Sequence, residues 1–209
     1  MKLTVFGGTG PTGREFVRLS VAGGHEVTAV VRDPAALTEL SGLTIRRGDV
    51  LDASSLDGSM DGADAVVSAL GSRTGRGPTT VYSAGIDNIL GVMHAAGVRR
   101  LVALTAVPVT PRSQRGPSEK LLDRVLHLFF GGGYDDMARM EQRVFASDVD
   151  WTIIRPPKLT DKPGTGEYRL ATNSSLRGGM AISRADLALA MLTALHDPAA
   201  VRVSLNVAN

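Results

Sequence analysis

Seven residues near the start restrict what this chain can become. The apolar run Leu3-Thr4-Val5-Phe6 passes straight into Gly7-Gly8-Thr9-Gly10-Pro11-Thr12-Gly13, and an apolar-periodic segment follows. That order predicts a strand, a tight loop and a helix. Gly7 suits a positive φ, Gly10 lets the backbone approach a phosphate, and Gly13 lets the new helix pack closely on the strand it leaves. Proline is favoured at a first helical position, so Pro11 makes Gly10 the cap. The N–H groups of Thr12 and Gly13 then face, with the positive end of the helix dipole, any anion in the loop. The spacing G-x-x-G-x-x-G departs from the G-x-G-x-x-G of the dinucleotide fingerprint, so a purely structural glycine turn stays open on this stretch alone.

The next strand narrows the choice. Glu26-Val27-Thr28-Ala29-Val30-Val31 is an extended apolar run with Arg32 at its end, nineteen positions after Gly13. In a βαβ dinucleotide site an acidic residue at this place holds the adenosine ribose, whereas an arginine suits a 2′-phosphate. Alone, Arg32 reads as a solvated strand-end cation. Beside the glycine loop it points to NADP(H).

The strand-helix unit then repeats. Asp33-Pro34 starts a short helix through about Leu40, and Leu43 to Arg46 is a third strand ending at Gly48-Asp49-Val50. Ser54 to Met60 is a weak helix, Asp64 to Leu70 a fourth strand, and Gly71 to Pro78 a polar loop. A helix over Thr79 to Ala96 carries Tyr82, Ile86, Ile89, Leu90 and Met93 on one face, Gly97 stops it, and Arg100 to Thr105 is a fifth strand. Beyond it, 107–117 reads as a loop. Ser118 to Phe130 is an amphipathic helix with Leu121, Leu122, Val125, Leu126 and Phe129, ended by a glycine hinge at Gly131-Gly132-Gly133. Tyr134-Asp135-Asp136 opens another helix, with Met137, Met140 and Val144 as its buried stripe. Trp151 to Arg155 is a sixth strand closed by Pro156-Pro157, and 158–179 a surface excursion. Ser183 to Asp186 matches a capping box, and Val201 to Val207 is a seventh strand, placed at the sheet edge.

Apolar runs joined by helix-length crossovers call for a parallel sheet covered on both faces. The fold expected is α/β: a single Rossmann-like domain spanning 1–209, doubly wound and mostly parallel, with segments 107–134 and 158–180 covering a substrate. Its ligand crevice lies beyond the carboxyl ends of the strands, where Gly7 to Gly13, Arg32, Asp49, Gly71 and Thr105 converge. Taken singly, Asp49 and Gly71 are equally well read as turn residues.

Composition removes several functions. With no cysteine in the chain, disulfides, thiolate catalysis and cysteine metal ligands are excluded, so redox chemistry requires a bound cofactor. The four histidines lack metal-ligand spacing and no G-x-S-x-G elbow is present, which argues against a metal site or a hydrolase triad. A net charge of +2 with only 4% aromatic residues offers neither a phosphate stripe nor a stacking platform for nucleic acid. No apolar run approaches a membrane span and no leader is evident, so a cytoplasmic protein with no membrane partner is expected.

With these residues in place, the chain resembles the atypical short-chain dehydrogenase/reductases of the NAD(P)H-binding group, which includes NmrA-like proteins and the biliverdin-IXβ reductase/flavin reductases. The carriers are the Gly7 to Gly13 loop, Val30-Val31-Arg32-Asp33-Pro34, Gly48-Asp49-Val50, Asp135 to Glu141, Trp151 to Pro157 and Ile182 to Ala188. The resemblance implies that Thr9, Gly10, Pro11 and Thr12 hold the pyrophosphate, Arg32 the 2′-phosphate, Asp49 and Val50 the adenine, and Ala69, Leu70 and Gly71 the middle of the cofactor. Thr105, Pro156 and Pro157 would border the nicotinamide. Two departures matter. Tyr134 is followed four residues later by Ala138 and not by the lysine of a Tyr-x-x-x-Lys pair. Thr105-Ala106 stands where the flavin-reductase branch has Thr-Ser.

Thr105 and Tyr134 are therefore the candidate catalytic hydroxyls, although a helix-start residue is the better reading of Tyr134 because no activating lysine stands at the expected spacing. Hydride transfer to an electron-poor ring can take its proton from solvent, so a flavin, quinone or bilin-like acceptor suits this chain. The other class of function is a non-catalytic NADP(H)-sensing regulator of the NmrA-like kind. A monomer or weak homodimer with a small-molecule acceptor is expected.

Overall fold

The computed structural model describes residues 1–72, 77–110 and 117–209, with the side chains of 117–131 outside the description. The chain begins with strand β1 (Lys2–Phe6), helix α1 (Pro11–Ala22), β2 (Glu26–Val31), β3 (Leu43–Arg47) and β4 (Ala65–Ser68). Helix α2 (Ser83–Ala96), β5 (Arg100–Leu104), helix α3 (Pro117–Ala146) and β6 (Asp150–Arg155) follow. Then come β7 (Lys158–Thr160), β8 (Arg169–Thr172), β9 (Ala181–Ser183), α4 (Arg184–His196) and β10 (Val203–Ala208).

Eight strands form one sheet in the order β3-β2-β1-β4-β5-β6-β10-β8, parallel throughout except for β8, which runs antiparallel to β10. Strands buried on both faces need no polar alternation, and β1 shows why. Its Leu3 and Val5 enter a core with Phe16 and Val17 of α1 and Leu187, Met191 and Leu195 of α4. Phe6 points the other way, into a second core with Ile86, Ile89 and Met93 of α2 and Met140 and Val144 of α3. Helices thus cover both faces, and the doubly wound parallel α/β fold expected from the sequence is what forms. The chain runs outward from β1 to β3 and then returns to start β4 on the other side. The switch point therefore lies between β1 and β4, where a crevice opens at the carboxyl ends of the strands.

Local structure departs from expectation at several places. The helices expected over 33–40 and 54–60 are single 3-10 turns, Pro34–Ala36 and Ala53–Leu56, each capped by an aspartate, Asp33 or Asp52. Asx capping favours a tight turn over a helix in such short segments. Gly97 ends α2 as expected, with φ +70°.

The glycine hinge is not found, because α3 continues through Gly131-Gly132-Gly133 as one 30-residue helix. A Cβ on Gly132 would lie 3.0 Å from the Gly77 carbonyl oxygen and 3.1 Å from Pro78 Cα, so the glycine permits close helix-loop packing instead of a break. Tyr134 to Asp136 consequently sit inside a helix and do not open one. Leu121, Leu122, Val125, Leu126 and Phe129 have side chains outside the described residues, as do positions 111–116 of the expected loop and 73–76 of the one before it.

The last strand is not at the edge. β10 pairs with β6 on one side and β8 on the other. The excursion over 158–179 supplies that edge strand, and it also supplies β7, which pairs in parallel with β9 outside the main sheet.

Candidate functional site

The first loop is built by contacts that only glycine allows. Gly7 has φ +78°, and a Cβ there would fall 2.2 Å from the carbonyl oxygen of Ala69, the residue leaving β4. The loops after β1 and β4 thus touch at the switch point. At Gly13 a Cβ would lie 2.2 Å from the Gly7 oxygen, so this glycine seats α1 against the loop. Gly10 is different, with φ −70° and ψ 158° and the Gly7 oxygen 3.4 Å from an added Cβ, an ordinary contact. The fold tolerates a side chain at Gly10; only a ligand close to the backbone would not.

Gly10 caps α1 and Pro11 occupies its first turn, as the sequence predicts, with no side chain capping the helix. The first bond back to the loop is from Arg14 N to Gly10 O at 2.9 Å. The N–H groups of Thr12 and Gly13 are left toward the crevice, an anion-binding arrangement.

A cleft of about 500 Å³ lies over this loop, a size usual for small-molecule sites. It gathers Gly7, Thr9, Gly10, Pro11, Thr12, Gly13, Arg32, Asp49, Val50, Ala69, Leu70, Gly71, Thr105 and Pro156 into one wall. Pro157 and Tyr134 are not among its lining residues; Met137, one helical turn after Tyr134, is. Sequence reasoning did not place Tyr82, Met137, Leu159 or Arg184 in the cleft, and all four line it.

At the β2 end, Arg32 is exposed and makes no hydrogen bond or ion pair among the described residues, so its guanidinium is available to a ligand. Asp49 is half-buried. Its carboxylate accepts from Leu51 N at 3.0 Å and its own N–H donates to Ser55 Oγ at 2.8 Å, which fixes the turn. Asn88 donates to the Val50 carbonyl at 2.8 Å, and Gly85 leaves room for Val50 and Leu70 against α2.

The opposite end is dominated by a buried charge pair. Arg155, at the end of β6, forms a fork with Glu141 of α3, Nε to Oε1 at 2.8 Å and Nη2 to Oε2 at 2.6 Å. Both side chains are almost fully buried, 2% and 5% exposed. Thr105 completes the group by donating its hydroxyl to Glu141 Oε1 at 2.7 Å. Bidentate geometry on a fully engaged carboxylate is what makes such a pair tolerable in a core. The Thr105 proton is therefore directed away from the cleft.

Tyr82 also lines the cleft. Its oxygen accepts from Ser72 N at 3.0 Å. Burial raises its pKa above the usual phenol value; the Ser72 bond opposes that and the charge of Asp136 adds to it. Asp136 itself, fully buried in α3, accepts from Tyr82 N at 2.9 Å and from the Ser83 hydroxyl. It caps α2 from a neighbouring helix, a role different from the dipole complement expected within its own helix.

Half of the expected late capping box forms: Ser183 Oγ accepts from Asp186 N at 3.0 Å and donates to its carboxylate at 2.8 Å, but Ser183 N donates to Asn209 Oδ1 at 2.9 Å in place of Asp186. The Asp186 carboxylate also collects Thr165 N and Gly166 N at 2.9 Å each and Asn209 Nδ2 at 2.9 Å. Burial pushes this carboxyl up, but the hydrogen bonds from Ser183, Thr165, Gly166 and Asn209 hold it below the usual range. Asp186 thereby ties the segment after β7 onto the start of α4.

The residues fit a dinucleotide: a glycine cradle that a Cβ would fill, free helix N–H groups, and an unpaired arginine at the second strand. Comparison with known proteins agrees. Residues 7–198 match the model of a family described as NAD(P)H-binding. The uncharacterized protein YwnB of Bacillus subtilis is 28% identical over 207 residues, 95% of this chain and 93% of that one. Among solved structures, the anaerobillin reductase ChuY of Escherichia coli O157:H7 is similar over 100% of this chain and 97% of its own, with a TM-score of 0.82 at 22% identity. A short-chain dehydrogenase/reductase from Veillonella parvula in complex with NADP covers 100% of this chain and 94% of its own, with a TM-score of 0.81 at 14% identity. At such identities the two structures speak for the fold alone. Among the described residues no helix is long and apolar enough to cross a membrane.

Proposed function

This chain belongs to the NAD(P)H-binding family, and from that premise we propose that it is an NADPH-dependent oxidoreductase acting on a planar conjugated acceptor such as a flavin, a quinone or a bilin-like ring. Arg32 supports NADPH over NADH, because its free guanidinium stands where a 2′-phosphate would be met. The Thr12 and Gly13 N–H groups would hold the pyrophosphate, and Thr105 and Pro156 would border the nicotinamide. A bound reduced nicotinamide supplies a hydride, and the acceptor takes its second hydrogen as a proton from water.

The observation that carries the acceptor class is the engagement of the Thr105 hydroxyl. Its proton goes to Glu141 at 2.7 Å, and burial makes the Tyr82 phenol a weaker acid, the reverse of what a lysine does for the tyrosine of ordinary short-chain dehydrogenases. An alkoxide from a simple ketone would find no ready proton donor here, whereas a ring that spreads its charge needs none. The same observation suits a non-catalytic NADP(H) sensor, the second reading. We also infer a cytoplasmic monomer or weak homodimer that works on a small molecule.

The test is a panel of acceptors at saturating NADPH, with nicotinamide absorbance as the readout, on wild type and Tyr134→Phe. Oxidation with FMN, riboflavin or a quinone and background rates with small ketones are expected, with Tyr134→Phe unaffected. Ketone reduction lost in Tyr134→Phe would make Tyr134 the acid and overturn the reading. Tight NADPH binding without oxidation by any acceptor would assign the sensor.

A further inference from the structure

The cleft carries a second cation, Arg184, besides Arg32. Arg184 opens α4 and lines the cleft with Pro156 and Leu159. The β7-β9 pairing sets Leu159 opposite Ile182 and Thr160 opposite Ser183, which places Arg184 on the β6 side. Arg32 follows β2, four strand spacings away in the order β2-β1-β4-β5-β6. At about 4.8 Å per spacing, roughly 19 Å separates the ends of β2 and β6, which sets Arg32 and Arg184 toward opposite ends of the cleft.

Arg184 is also poorly satisfied. Its Nη1 is buried and makes no hydrogen bond. Asp161 Oδ1 lies 3.1 Å from it, but that side chain is 84% exposed. With Arg184 only 22% exposed, the pair is screened by water on its aspartate side alone and stays open to exchange for a better-placed anion, while a buried donor lacking a hydrogen bond asks for a partner. A pyrophosphate would be met by the helix α1 N–H groups, and Asp49, the one acidic residue of the cleft wall among the described residues, lies toward Arg32.

We propose that Arg184 anchors an anionic substituent, a phosphate or a carboxylate, on the acceptor. Resting on the reductase reading above, this narrows the acceptor to a conjugated ring that bears a negative side group. The neighbouring Asp161 holds the guanidinium in place until that group arrives.

FMN and riboflavin share one ring and differ by a phosphate, so they isolate the effect. Flavin fluorescence is titrated with protein saturated with NADP⁺, for wild type, Arg184→Gln and Asp161→Asn. FMN should bind wild type about tenfold more tightly than riboflavin, and in Arg184→Gln the ratio should fall to about one. Asp161→Asn, a change at an exposed position, should tighten FMN about twofold by removing the competing carboxylate. NADP⁺ affinity should be the same in all three. Wild type binding FMN no more tightly than riboflavin, whether both bind or neither does, would overturn the inference. So would Arg184→Gln weakening NADP⁺ in step with FMN, because the guanidinium would then belong to the cofactor. If the FMN preference is present but NADPH oxidation is absent, the anion site stands and the reductase reading falls.

Discussion

Replacing Glu141 with glutamine tests the framework beneath the acceptor end of the cleft. The substitution keeps the shape of the side chain and removes its charge. Arg155 Nε and Nη2, now bonded at 2.8 and 2.6 Å, and the Thr105 hydroxyl at 2.7 Å would compete for one remaining carbonyl oxygen. The guanidinium, 2% exposed, cannot recover its loss from water. Breaking one partner out of a buried pair costs about 3 to 5 kcal/mol. For a domain of this size each kcal/mol lowers Tm by roughly 2 to 4 °C, so a fall of about 6 to 20 °C is expected. Urea unfolding with an unchanged m value would confirm a loss of native stability. The double variant Glu141→Leu with Arg155→Met removes the desolvation cost as well and should recover at least half of that loss. A Glu141→Gln protein within about 1 kcal/mol of wild type, or a double variant less stable than the single one, would refute the assignment of a tightly coupled buried pair.

Gly10→Val should keep wild-type stability within about 1 kcal/mol, since the backbone there is compatible with a side chain, yet lose NADPH affinity by at least about tenfold; unchanged affinity in the folded variant would make the loop merely structural. Gly13→Ala should instead destabilise the fold in thermal unfolding, because its Cβ would meet the Gly7 oxygen at 2.2 Å. Asp186 has a folded pKa below its unfolded value of about 3.9. Its stabilising contribution is present above that pH and is lost as pH falls through the folded pKa. Below about pH 4 the Tm of wild type should therefore drop more steeply than that of Asp186→Asn, and parallel curves there would contradict the hydrogen-bond account.

What could be read from the sequence was what local chemistry decides. The strands of the parallel sheet appear as apolar runs because both their faces are buried, and the loop from Gly7 to Gly13 appears because its backbone geometry excludes side chains. Fourteen of the proposed cofactor residues duly meet in one cleft. The misreadings lie where a distant partner overrides local propensity. Gly132 looks like a helix breaker until the chain at Gly77 and Pro78 is seen packed on it. The edge strand Arg169–Thr172 has three exposed residues of four, hence no apolar signature, and is defined by its pairing with β10. Glu141 and Arg155 were visible as residues, but only the approach of α3 to β6 makes them a pair. Tyr82 looked like a core position on a helix face, and it is also a cleft wall. Its place just before α2, beside the loop after β4, was the signal that could have found it.

The central claim is that the switch-point cleft binds NADPH through the glycine loop and Arg32. Calorimetric titration of wild type and Arg32→Ala with NADPH and NADH tests it most directly. A charge-assisted bond to the 2′-phosphate contributes about 1.5 to 3 kcal/mol, so wild type should prefer NADPH by roughly ten- to hundredfold. Arg32→Ala should lose most of that preference with NADH affinity nearly unchanged, while equal dissociation constants for the two cofactors in wild type would contradict the claim.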